Sequence, residues 1–396
     1  MNQRELFFKH VGQTSPSPMG LDVDYAEGIY LYDNQGNRYI DLISGVSVSN
    51  VGHRHPKVIE AIQHQLGKYM HLMVYGEYIQ TPQVQLATKL SKILPGDIDA
   101  VYFVNSGSEA VEGAMKLAKR TTKRYNVVSF KNAYHGSTHG SLSIMGNETM
   151  RNSFRPLLPG IRQIEFNNEN DLSRIDETTA CVIVEPIQGE GGIILPKSDF
   201  LAKLRQRCNE TGALLIFDEI QTGFGRTGTY FASDGFGVIP DIICIAKALG
   251  GGMPLGAFAA PHEMMKNLTF DPSLGHITTF GGHPVSCAAA LATLNVIESE
   301  NLIETIYSKE KRFRNNLTHS SITNIRGKGL FLAVTVKDIN IFKLLQIAIN
   351  EGVLLDPFLF CPDAFRISPP LTITEAQIDD ACEKIVIALE KAIHLK

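Results

Sequence analysis

Lys247, in "DIICIAKALGGG", follows five uncharged residues and precedes the glycines Gly250, Gly251 and Gly252. Such an apolar run reads as a buried strand, so the lysine stands where water is scarce. A neutral lysine amine at pH 7 costs about 4–5 kcal/mol, at 1.36 kcal/mol per unit from a reference pKa near 10.4. An unpaired buried ammonium costs more. Lys247 must therefore have a strong partner or be consumed chemically. Asp218, in "ALLIFDEIQTGFGRTG", ends another apolar run 29 residues earlier. A carboxylate in that position needs several hydrogen bonds or a cation. The separation suits one crossover between parallel strands, which would deliver both groups to one crevice. A third stretch, "VNSGSEAVEGAMKLAKR", turns a strand end into a helix through Ser106, Gly107 and Ser108. Open N–H groups at such a helix start favour a phosphate, provided that Glu109 points away. Taken singly these are a snorkelling lysine, a loop carboxylate and a helix cap. Together they could form an imine with an aldehyde cofactor, hold a protonated ring nitrogen and cradle a phosphate.

The elements that must position these groups follow from hydrophobic patterning. "GIYLYDNQGNRYIDL" reads as a hairpin around Asn34–Asn37, a sequence with good turn chemistry. Further on, the short apolar runs "AVYFVN", "YNVVSF", "ACVIVE", "ALLIFDE", "DIICIA" and "LGAFAA" are separated in several places by helical patterns, notably at 108–120 and 198–211. That alternation predicts parallel βαβ units with a sheet covered on both faces, and ligands just beyond the strands' carboxyl ends. A long helix is expected from Pro284. A second α/β pattern follows residue 300, closing with a helix that Thr374 and Gln377 open as a capping box. The expected division is an N-terminal segment, 1–47, that joins a small domain; a large domain, 48–299; and a C-terminal small domain, 300–396.

Composition narrows the function classes. With 396 residues, net charge −4, 44% hydrophobic and 20% charged residues, the chain has an ordinary globular balance and no basic block for nucleic acid or an acidic membrane. The six cysteines, 181, 208, 244, 287, 361 and 382, form no C-x-x-C pair. They suit reduced thiols in a cytoplasm, and no transmembrane or secretory segment is expected. His53 and His55 of "VGHRHPKV" lack acidic or thiol companions in sequence, so no metal is expected.

"LLIFDEIQTGFGRTG" followed by "DIICIAKALGGGMPLGAF", within a match running from "GIYLYDNQGNRYIDL" to "FRISPPLTIT", closely resembles the class III aminotransferases. This family includes the ornithine, acetylornithine and 4-aminobutyrate enzymes. The resemblance implies a fold-type-I α/β transferase, with a mainly parallel central sheet in the large domain and a smaller α/β domain built from both termini. Its cofactor would be pyridoxal 5'-phosphate, alternating with pyridoxamine 5'-phosphate. Lys247 would be the Schiff-base lysine and proton shuttle, and Asp218 would bind the pyridinium nitrogen. Gln221 would hydrogen-bond the ring hydroxyl, Ile220 would pack on the ring, and Ser106, Gly107 and Ser108 would hold the phosphate. Tyr134 would stack on the other ring face, with His135 and Glu185 also beside the cofactor. Thr279 resembles the residue that reaches a neighbouring subunit's phosphate, which implies at least a homodimer with shared sites.

Glu190 and Arg366 resemble a switchable pair in which the glutamate uncovers the arginine for a substrate carboxylate. Val46 falls at a substrate-facing position. Ser137 departs from the family's pattern: "HGS" stands where users of 2-oxoglutarate carry "HGR". A serine cannot supply the two parallel hydrogen bonds of a guanidinium. Family members that take free ornithine surround it with aromatic residues, and this chain lacks them at the matching positions. An acylated diamine or a simpler ω-amino acid is thus the expected donor, and a 2-oxo acid the acceptor, by a ping-pong route. The rival readings are a racemase or aminomutase on the same scaffold, and a non-catalytic cofactor-binding protein.

Overall fold

A computed structural model describes residues 2–393. Near the N-terminus, β1 (Val23–Glu27), β2 (Tyr30–Asp33) and β3 (Arg38–Asp41) form an antiparallel meander. The β2–β3 hairpin is the expected one. Asp33 closes its turn by accepting the backbone N–H groups of Gln35 and Asn37 at 2.9 and 2.8 Å. The central sheet then collects β4 (Ala100–Val104), β5 (Asn126–Phe130), β6 (Ile161–Ile164), β7 (Thr179–Val184), β8 (Leu214–Asp218), β9 (Ile242–Ile245) and β10 (Gly256–Ala260). Their order is β4-β10-β9-β8-β7-β5-β6.

All central pairings are parallel except those of β10, which runs antiparallel to both β4 and β9. This corrects the reading of "LGAFAA" as one more parallel unit. Residues 246–255 connect β9 to β10 with only a short 3-10 turn, and a parallel return needs a crossover of a dozen or more residues. Strands β5, β7, β9 and β10 are buried along their whole length, as expected for a sheet covered on both faces.

Beyond the central sheet, β11 (Ile322–Lys328), β12 (Phe331–Val336), β13 (Val353–Leu354), β14 (Asp356–Pro357) and β15 (Ala364–Ile367) complete the strands. The first four-stranded sheet is β1-β2-β3-β13, where β3 pairs in parallel with β13, Ile40 opposite Val353. The other is β11-β12-β15-β14. Helix Pro284–Ser299 begins at its proline as expected. Thr374 and Gln377 cap helix Glu375–Ile393 reciprocally, at 2.9 and 3.3 Å.

Arg226 ties three distant segments together. Its fully buried guanidinium donates to the carbonyls of Leu330 and Pro369, to Asn50 Oδ1 and to Ser44 Oγ. Among the described residues, no helix is long and apolar enough to cross a membrane.

Candidate active site

Strands β5, β7, β8 and β9 are successive neighbours of one parallel set, so their carboxyl ends share an edge. Each delivers one polar residue there: His135 from the loop after β5, Glu185 just past β7, Asp218 as the last residue of β8, and Lys247 just past β9. Asp218 lies opposite Cys244, three residues before Lys247. These four groups line a cleft of about 480 Å³. The cleft also includes Ser106, Gly107, Ser108, Tyr134, Ile220 and Gln221. Lys247 and Asp218 thus share one crevice, as expected from the spacing of their strands.

Lys247 opens the turn Lys247–Gly250 with φ +48, a left-handed conformation that a non-glycine residue adopts at a cost of about 1–2 kcal/mol. Burial lowers its amine to a pKa of about 8, and the charge of Arg366 pushes the same way. Glu190, Asp218 and Glu185 oppose the shift without cancelling it. Asp218 is 4% exposed. Its Oδ1 accepts the Ile220 N–H at 3.1 Å, and its Oδ2 faces His135 Nδ1 at 2.7 Å. Glu185 takes N–H bonds from Gly189 and Tyr134 at 3.0 and 3.2 Å, yet burial still pushes its carboxyl up to about 7.

The phosphate-type helix start is built as its sequence suggests. Helix Gly107–Thr122 has Ser106 as N-cap, with Ser106 Oγ accepting the Glu109 N–H at 3.2 Å. Glu109 turns back to bind the N–H of Asn105 at 2.6 Å, so its carboxylate is occupied with backbone at the strand end. Ala110, Val111, Ala114, Met115 and Ala118 form the buried stripe. A Cβ at Gly107 would stand 2.9 Å from Ile220 Cδ1, and one at Gly256 would stand 2.3 Å from the Ser106 carbonyl oxygen. Both glycines keep the cradle compact.

The remaining predicted residues stand farther out. Val46, Ser137, Glu190, Arg366 and Thr279 do not line the cleft, whereas Val48 does. Residues 44–47 all have positive φ, which bends the chain so that Val48 forms the wall. Ser137 is exposed; its hydroxyl meets Tyr134 Oη at 3.1 Å. Arg366, on β15, is 1% exposed and donates from Nη2 to Glu190 Oε1 at 2.6 Å. Its guanidinium lies 4.7 Å from the centre of the Phe358 ring, and Asp356 stands 3.7 Å from its Nε. Nη1 and Nε are buried with no hydrogen-bond partner among the described residues. Thr279 is exposed. His53 and His55 are engaged elsewhere, by Asp41 at 2.7 Å and Glu300 at 3.3 Å.

Sequence reasoning missed Asn105, whose side chain links Glu109 to Thr278 at 3.2 Å each. It also missed Ile187, Met253, Pro254 and Leu255 of the cleft wall. The apolar "MPL" after the glycines was the available signal.

A phosphorylated pyridine aldehyde fits these residues. The cradle at Ser106–Ser108 suits the phosphate, Asp218 suits a ring nitrogen, and the amine of Lys247 suits the aldehyde. Gln221 lines the same cleft, and its Nε2 is buried without a partner among the described residues, a donor left for a ligand oxygen.

Comparison with known proteins agrees. The family described as "Aminotransferase class-III" matches residues 11–389. An acetylornithine aminotransferase of Archaeoglobus fulgidus is 40% identical over 376 residues, covering 95% of this chain and 97% of that protein. Ornithine aminotransferase from Toxoplasma gondii, whose structure shows partial occupancy of pyridoxal phosphate at the active site, superposes with TM-score 0.91 at 30% identity, covering 99% and 95% of the two chains. The ω-transaminase of Pseudomonas jessenii in complex with pyridoxamine phosphate gives TM-score 0.92 at 27% identity, covering 100% and 99%. With a cleft that fits the cofactor and a family match over nearly its whole length, the chain belongs to the class III aminotransferases, enzymes that transaminate with pyridoxal phosphate.

Proposed function

We propose that this aminotransferase takes its amino group from the ω-position of an acetylornithine- or 4-aminobutyrate-like amino acid and passes it to a 2-oxo acid in alternating half-reactions. The carrying observation is Arg366, a buried guanidinium whose Nη2 donates to Glu190, whose Nε has Asp356 at 3.7 Å, and whose Nη1 and Nε make no hydrogen bond among the described residues. A swing of Glu190 would free Nη2 beside the unbonded Nη1, and a substrate carboxylate would then satisfy that pair of nitrogens. The names of the curated relatives support the acylated donor.

Ser106, Gly107 and Ser108 would hold the cofactor's phosphate, Gln221 its ring hydroxyl and Asp218 its ring nitrogen, with Ile220 and Tyr134 on the ring faces and Glu185 and His135 alongside. When bound, the cofactor supplies an electron sink for the carbon that loses its proton. A lysine amine whose pKa has fallen to about 8 can accept and return that proton near neutral pH. Apolar cleft walls at Val48, Ile187 and Leu255 exclude water from this exchange.

The enzyme would work as a homodimer, with Thr279 reaching the partner's phosphate. Exposed apolar residues around that segment support this: Ile79 is 96% exposed, Met70 64% and Phe280 53%. The rings of His71 and Phe280 lie 4.7 Å apart, joining the two segments into one patch. The six free thiols, five of them buried, support a cytoplasmic setting.

The test is to mix holoenzyme with N-acetylornithine, 4-aminobutyrate and ornithine, and to follow conversion to the amino form of the cofactor. Reversal by pyruvate and by 2-oxoglutarate is then compared. Conversion by the first two donors and faster reversal by pyruvate are expected, because Ser137 offers no guanidinium. Conversion by ornithine alone, or inversion of the amino acid with no acceptor, contradicts the reading.

A further inference from the structure

Arg366 has a second carboxylate beside it, one that a swing of Glu190 leaves in place. β14 runs antiparallel to β15 with Asp356 directly opposite Arg366, so both side chains leave the same face of the sheet. Asp356 Oδ2 stands 3.7 Å from Arg366 Nε, close enough for an ion pair and too far for a hydrogen bond. Glu190 is held differently. Its Oε1 takes the Nη2 bond, and its Oε2 takes the Leu359 N–H at 3.1 Å. The Phe358 ring packs against the guanidinium. Glu190, Phe358 and strand β15 thus fix the arginine, and Asp356 adds charge rather than geometry. The Asp356 carboxylate accepts no hydrogen bond among the described residues. Its other charged neighbours are Glu190, Lys247 and Asp41. Burial lifts its carboxyl above the usual value, while the guanidinium favours the ionised form.

We infer that Asp356 is a specificity-determining residue: it keeps a negative charge beside Arg366 while a substrate carboxylate is bound, and so loosens the hold on that carboxylate. This rests on Arg366 receiving the carboxylate, as proposed above. With Glu190 in place, one cation faces two anions. With Glu190 swung away, Arg366 and Asp356 remain as a compensated pair. The arriving carboxylate still finds its hydrogen-bond donors at Nη1 and Nη2, but it enters the field of a like charge. In a buried site such repulsion is screened far less than in water. Asp356 therefore acts through Arg366, against binding, and it acts on carboxylate-bearing substrates in particular.

The test compares the holoenzyme with its Asp356→Asn and Arg366→Gln variants, reading kcat and KM for 4-aminobutyrate and for pyruvate. Arg366→Gln should raise the KM of whichever substrate places its carboxylate on the arginine. Asp356→Asn, which removes the charge and keeps the shape, should lower that same KM about fivefold or more. Its kcat should change little, because the interaction is the same before and during reaction. Damage to the fold would weaken binding, so a gain in affinity separates this role from a structural one. If Arg366→Gln raises a KM and Asp356→Asn leaves that KM unchanged or raises it, the inference is overturned and the role of Arg366 stands. If Arg366→Gln raises neither KM, the Arg366 reading fails and takes the inference with it. Should Asp356→Asn not fold, Asp356→Ser decides by the same measure: a lowered KM supports the inference, and an unchanged or raised one overturns it.

Discussion

Glu185 shows how a single buried carboxyl couples the site to stability. Burial pushes it up to about 7; the His135 charge lowers it, and the Asp218 charge raises it further. Its unfolded value is about 4.5, so between pH 4.5 and 7 the folded chain holds a proton that the unfolded chain has released. Stability must then fall as pH rises through that window. Glu185→Gln removes the proton exchange while keeping a hydrogen-bonding side chain. The melting temperature of the apoenzyme should decline between pH 5 and pH 7, and the decline should be shallower in Glu185→Gln by a few degrees. Parallel melting curves for the two proteins would show that Glu185 is already ionised in the folded state.

At the scale of elements, the proposed phosphate cradle depends on a strand it does not belong to. β10 brings Gly256 opposite Val104, where a Cβ would lie 2.3 Å from the backbone carbonyl of Ser106. Neither backbone can yield cheaply, so Gly256→Ala should destabilise the fold by about 1–3 kcal/mol. It should also weaken cofactor retention on dialysis, because Ser106 caps the helix. Unchanged retention would mean that the cap is not part of the cradle.

The direction of β10 was hidden from a reading of composition, since "LGAFAA" is equally apolar either way; only the short connection 246–255 settles it. Lys247 and Asp218 were legible because each interrupts an apolar run at its end. The His135–Asp218 contact was not, since it joins residues 83 positions apart. Val48 displaced Val46 from the cleft wall because residues 44–47 adopt positive φ. Nothing in a Val propensity foretells such a turn, which disfavours β-branched side chains. Strand Ile161–Ile164 escaped notice because "IRQI" alternates apolar and polar residues over only four positions.

For the whole molecule, the exposed patch around Ile79 and Phe280 should be the seam of the proposed dimer. A side chain that is 96% exposed contributes little to the isolated fold, so Ile79→Glu should leave the monomer's melting temperature nearly unchanged. Between two copies the added charges would be buried unpaired, at a cost of several kcal/mol. Sedimentation should show the mass falling from two chains to one, with cofactor retention falling as Thr279 leaves the partner's site. A variant that stays dimeric would place the seam elsewhere.

Four strand ends converge on the cleft where Lys247 is proposed to bind the cofactor. Reduction of the holoenzyme with borohydride, followed by proteolysis and mass mapping, tests this directly. A pyridoxyl label on the peptide containing Lys247, and its loss in Lys247→Ala, is the predicted result. A label on any other lysine, or undiminished transamination by Lys247→Ala, would contradict it.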